Sequence, residues 1–79
     1  MAYAPLVESL VKAVVEKPEL VSVEEETEMG SRTFHVTVDP EDVGKVIGKA
    51  GRVVSAIRSV VSAVASKSRE KAYVKVVTD

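Results

Sequence analysis

Val43-Gly44-Lys45-Val46-Ile47-Gly48-Lys49-Ala50-Gly51-Arg52 sets a Gly-to-Gly turn between two stretches of helical periodicity. Lacking Cβ atoms, Gly48 and Gly51 permit positive φ and let another backbone come close to the peptide chain. Gly48 therefore stops the helix before it, and a second helix starts near Gly51 or Arg52. The first N–H groups of that second helix have no partner within the helix; they point outward at the positive end of its dipole, where a phosphate fits. Lys45, Lys49 and Arg52 surround this point, so long-range attraction and local hydrogen bonding act on one group. Val46 and Ile47, with Val54 or Ile57 from the following helix, are candidates for an aliphatic platform beneath unstacked bases.

Working outward, Asp39 before Pro40 reads as an N-cap and first helical position, opening a short helix from Pro40 to about Ile47. Downstream, a helix from Gly51 or Arg52 to Ala65 buries Val53, Ile57, Val60, Val61 and Val64. The polar stretch Ser66 to Glu70 leads to a last strand, Ala72 to Val77. Upstream, a Val-rich strand from about Leu20 to Glu28, the turn Met29-Gly30-Ser31 and the alternation Phe34, Val36, Val38 predict a hairpin. Before it, Leu6, Val7, Leu10, Val11, Val14 and Val15 recur at helical spacing between Ala4 and Glu16, and Lys17-Pro18 ends that helix. The order is α-β-β-α-α-β. It is an α+β domain over residues 1–79, with helices covering one face of a small sheet and one core.

The composition, 46% hydrophobic and 29% charged, suits an ordinary soluble domain, and without cysteine no disulfide or thiolate metal site is available. Apolar runs are too short to span a bilayer and the N-terminus lacks the order of a signal peptide, so the expectation is a cytoplasmic protein with no membrane contact. The net charge of −1 conceals an asymmetry. Residues 1–42 carry ten acids against three bases, a balance of −7; residues 43–79 carry eight bases against two acids, a balance of +6. A basic half holding the glycine turn is what a phosphate-binding face needs.

Val46-Ile47-Gly48-Lys49-Ala50-Gly51-Arg52-Val53-Val54 resembles the VIGxxGxxI signature of KH domains, with Val54 standing where the signature has Ile. Two strands before the motif and one after it are similar to the type II arrangement, whose three-stranded sheet is mixed. The run Asp42 to Lys49 and the helix through Arg58 resemble the small bacterial single-KH proteins of the KhpA family. The resemblance spans nearly the whole chain and implies binding of single-stranded RNA, about four nucleotides per loop. Lys45, Val46, Ile47, Gly48, Lys49, Ala50, Gly51, Arg52 and Arg58 are the expected contact residues. It further implies an RNA chaperone or post-transcriptional regulator that acts as a homodimer, or with a larger KH-containing protein of the KhpB, Jag or EloR kind. The apolar Val53, Val54 and Val61 are candidates for a dimer interface, and a dimerisation module with little RNA binding of its own is the alternative reading.

Other chemistries fail on spacing. A P-loop requires glycine where Val43 stands and Ser or Thr where Ala50 stands. Gly44, Gly48 and Gly51 follow GxxxGxxG, which is not the dinucleotide fingerprint, and no βαβ unit surrounds them. His35 lies in a strand on the face opposite Phe34 and Val36, a surface position with no second His or Cys to build a metal site or a triad. Glu24-Glu25-Glu26 alternate between strand faces as a solvated edge. Tyr3 and Tyr73 are packing residues, with Tyr73 also placed to border the groove. The expectation is a binding protein, not an enzyme, with no cofactor and no metal.

Overall fold

The structure, a computed structural model, describes residues 2–78. Pro5 in the first turn and apolar residues at helical spacing form α1, Ala4–Lys12, whose Val7 and Val11 are fully buried. This helix ends four residues before the expected Glu16. A competing partner takes the amides: the N–H groups of Glu16 and Lys17 donate to Asp42 Oδ1 and Oδ2 at 3.2 and 3.0 Å. Asp42 is 2% exposed, so these charge-assisted bonds form away from water. A single 3₁₀ turn, Pro18–Leu20, follows and removes Leu20 from the expected strand.

The hairpin consists of β1, Ser22–Glu28, and β2, Ser31–Thr37, paired antiparallel with Glu28 opposite Ser31. Met29 and Gly30 make the connecting turn, both at positive φ (45° and 82°), the backbone that matches strand twist in a two-residue hairpin. Further along the chain, β3, Lys71–Val76, joins β2 in parallel. The sheet is therefore mixed, in the order β1-β2-β3, and β3 has a free outer edge among the described residues.

The expected helix from Pro40 divides into a 3₁₀ turn, Pro40–Asp42, and α2, Val43–Ile47. Asp39 is not a side-chain cap: its carboxylate makes no capping hydrogen bond and lies 3.6 Å from Lys17 Nζ, while its carbonyl accepts the Asp42 N–H at 2.8 Å. After the glycine turn, α3 runs Arg52–Lys67, two residues beyond Ala65. It closes where Arg69 adopts φ 58° and the Glu70 N–H donates to the Ala65 carbonyl at 2.9 Å. Its inward line is Val54, Ile57, Val61 and Ala65. Val53 and Val64, expected inside, are half-buried, and Val60 is 43% exposed.

All three helices lie on one face of the sheet, over a core built on Tyr3, Val7, Val11, Phe34, Val36, Val46, Ile57, Val61 and Val74. Tyr3 meets Phe34 edge to face at 6.4 Å, and its hydroxyl donates to Glu70 Oε1 at 3.1 Å, which joins α1 to the approach to β3. The other face of the sheet carries no helix.

Candidate nucleic-acid interface

The chain between α2 and α3 does not run on as helix. Gly48 takes φ 76° and ψ 173°, and Lys49–Gly51 forms one 3₁₀ turn in which Ala50 (φ 57°) and Gly51 (φ 73°) are left-handed. The Gly48 N–H donates to the Gly44 carbonyl at 2.8 Å and the Gly51 N–H to the Gly48 carbonyl at 3.1 Å, which fixes both sides of the break. The two glycines then differ in what they offer. A Cβ at Gly48 would collide with Val53 Cγ2 and lie 2.8 Å from Val53 Cβ, so the protein's own side chain fills that space. On its Cβ side the bareness of Gly48 serves the packing of Val53. A Cβ at Gly51 would meet nothing within 4 Å, Lys49 and Ala50 are exposed and Gly51 is half-buried, so 49–51 is the more open part of the turn. No side-chain hydrogen bond caps α3, whose N-cap is Gly51 itself.

Lys45, Lys49, Arg52 and Arg58 are all exposed. Lys45 Nζ lies 3.9 Å from Asp42 Oδ1, while among the described residues Lys49, Arg52 and Arg58 have no acidic partner. Arg58 turns across the groove instead: its Nε donates to the Val74 carbonyl at 3.0 Å, tying α3 to β3. The aliphatic platform is smaller than expected. Val46 is 1% exposed, Val54 7% and Ile57 5%; all three point into the core, because a five-residue α2 and the inward line of α3 turn them toward the sheet. Ile47 stays half-buried at the surface. A cavity of about 540 Å³ that includes Arg58, Val74 and Lys75 borders β3, and one of about 440 Å³ that includes Val38, Val43 and Val77 lies beyond the ends of β2 and β3.

The dimer candidates also need correction. Val61 is fully buried and Val54 nearly so, hence neither offers a surface to a partner. Half-buried Val53 belongs instead to an almost wholly apolar cavity of about 370 Å³, with Leu10, Ala13 and Val14 from the end of α1 and Ala56 and Val60 from α3. Sequence reasoning missed this line because periodicity along α3 does not say which of two adjacent valines faces the sheet. What separates them is the packing of Val53 against the bare side of Gly48, which only the structure reveals. His35 is half-buried on the open face of the sheet, with Nε2 3.6 Å from Glu26 Oε1. Among the described residues no helix is long and apolar enough to cross a membrane.

The family described as KhpA/KhpB, KH domain, matches residues 4–76. Similar proteins include the RNA-binding protein KhpA of Clostridium perfringens, 47% identical over 72 residues covering 91% of this chain and 96% of that protein. The RNA-binding protein KhpA of Oceanobacillus iheyensis is 41% identical over 71 residues, 90% of this chain and 95% of the relative. That of Listeria monocytogenes serovar 1/2a is 42% identical over 72 residues, 91% and 95% of the two chains.

Proposed function

The chain belongs to the KhpA/KhpB family of KH domains, and from that premise we propose that it binds short single-stranded RNA at the Gly48–Gly51 turn and along the groove between α3 and β3. One observation carries the reading: helix is interrupted by a left-handed turn, Lys49 to Gly51, which leaves Lys49 and Ala50 exposed and meets the start of α3, without a side-chain cap, where Lys49 and Arg52 have no acidic partner among the described residues. A sugar-phosphate backbone lies against bare main chain without steric cost, and dipole and side-chain charges attract the same phosphate. Ile47 is the apolar contact for an adjacent base, and Arg58 lines the groove floor. Val46 supports Ile47 and the turn from inside.

Replacing Lys49 and Ala50 together by Asp tests this directly. Ala50 already occupies a left-handed conformation that Asp adopts more readily, so the pair reverses charge without adding backbone strain. Binding of a fluorescein-labelled single-stranded RNA should be lost in anisotropy titrations while the thermal melt stays unchanged. RNA binding at wild-type strength by K49D/A50D refutes the assignment.

A second reading, favoured by the apolar cavity between α1 and α3, is self-association, or pairing with a larger KH-containing protein, through Leu10, Val14, Val53, Ala56 and Val60. The two are compatible. A single turn holds about four nucleotides, and linking two such surfaces raises effective concentration enough for an RNA chaperone or post-transcriptional regulator to act.

A further inference from the structure

The sheet face without helices has its own charge order. Burial of Phe34, Val36 and Val74 sends their neighbours Thr33, His35, Tyr73 and Lys75 to the opposite side. On that face β1 carries Glu24, Glu26 and Glu28, β2 carries Ser31, Thr33 and His35, and β3 carries Lys71, Tyr73 and Lys75. Tyr73 is 50% exposed and stands opposite Thr33, with a lysine two residues away on each side. β3 contains no acid, and neither lysine has an ion-pair partner among the described residues.

This patch is continuous with the groove. The cavity of about 540 Å³ is lined by Thr33 and Tyr73 from the open face and by Arg58 and Ser62 from α3, so it wraps around the free edge of β3. Arg58 sits seven residues beyond Gly51, about 10 Å along α3 at 1.5 Å per residue, and its bond to the Val74 carbonyl holds the guanidinium beside Tyr73. A strand leaving the turn along Arg58 therefore reaches Tyr73 within a few nucleotides. The glutamates of β1 lie two strand spacings away, about 10 Å, and bias a polyanion toward β3.

We infer that Tyr73, flanked by Lys71 and Lys75 on the open face of β3, stacks a base of single-stranded RNA that continues past the loop, extending the interface around the sheet edge. The inference rests on the loop reading above. Stacking on an aromatic ring tolerates any base, so this subsite adds affinity and length without sequence preference. Thr33 and Ser62 supply hydroxyls at its rim, and the lysines hold the flanking phosphates.

The test is anisotropy titration with a randomised, fluorescein-labelled ten-nucleotide RNA pool against wild type, Y73A, Y73F, Y73W and K49D/A50D. The expected result is binding weakened roughly 5- to 150-fold by Y73A, the span that alanine gives at a base-stacking aromatic, and kept within about twofold by Y73F and Y73W. Since the chain has no other tryptophan, emission from Y73W should be quenched as the RNA binds. Wild-type binding by Y73A, or loss in Y73A with unquenched Y73W emission, overturns the subsite. If K49D/A50D is still abolished in that case, the loop reading stands alone. If wild type binds no RNA, or K49D/A50D binds like wild type, the loop reading fails and this one with it.

Discussion

Gly48 and Gly51 look alike in the sequence and differ in the structure. A methyl group at Gly48 meets the strain of φ 76° and the body of Val53 together, whereas at Gly51 it meets strain alone. Left-handed helical backbone, as at Gly51, costs an L-residue about 1–2 kcal/mol; the glycine-only backbone of Gly48, with ψ 173°, costs about 1–3 kcal/mol, and overpacking adds about 1–3 kcal/mol. Urea unfolding should therefore show G48A losing about 2–6 kcal/mol, and G51A losing no more than about 2 kcal/mol. Equal losses in the two variants contradict the packing role given to Gly48. This is also where the sequence was most informative. That a turn stands here is legible, because glycine's freedom is a local property. Which glycine has room for a Cβ depends on a contact with Val53, five residues beyond Gly48, whose direction the pattern alone does not reveal.

Among the elements, β1, α3 and β3 begin and end within two residues of the expected places, and β2 follows the expected turn, since hairpin turn, alternation and helical period are all local signals. α1 does not, because Asp42, far along the chain, removes the amides of Glu16 and Lys17 from the helix. The same blindness to distant partners moved Asp39 from cap to ion pair with Lys17. Along α3, the inward line at Val54, Ile57, Val61 and Ala65 leaves Val53, Ala56 and Val60 as an outer apolar line beside Leu10 and Val14. Val60, 43% exposed, is the position to probe, because Asp there leaves the core and Gly48 untouched. On the self-association reading, light scattering should show wild type as a dimer and V60D as a monomer at the same concentration, with binding of labelled RNA by V60D retained. An unchanged mass distribution rules this face out as the seam.

The whole molecule is nearly neutral, at −1, with a basic C-terminal half and an acidic N-terminal half, so on the proposed reading it is this separation, not the net charge, that draws a polyanion. In space the acids of β1 lie at the sheet edge remote from β3, while Lys45, Lys49, Arg52 and Arg58 follow the turn and the groove. With three or four of these cations on phosphates, log K should fall against log[salt] with a slope of about −2 to −3, at roughly −0.7 per contact on a single strand. Engagement of Lys71 and Lys75 makes the slope steeper for long RNA. A slope near zero would mean that the cations take no part.

The most direct measurement is an NMR titration of the ¹⁵N-labelled chain with a short single-stranded RNA, followed amide by amide. The largest shifts should fall on Lys49, Ala50, Gly51 and Arg52, with smaller ones at Ile47 and along β3 and little change on β1. Saturating RNA that leaves residues 49–52 in place while moving amides elsewhere would contradict the central claim that the interrupted helix is where the nucleic acid lies.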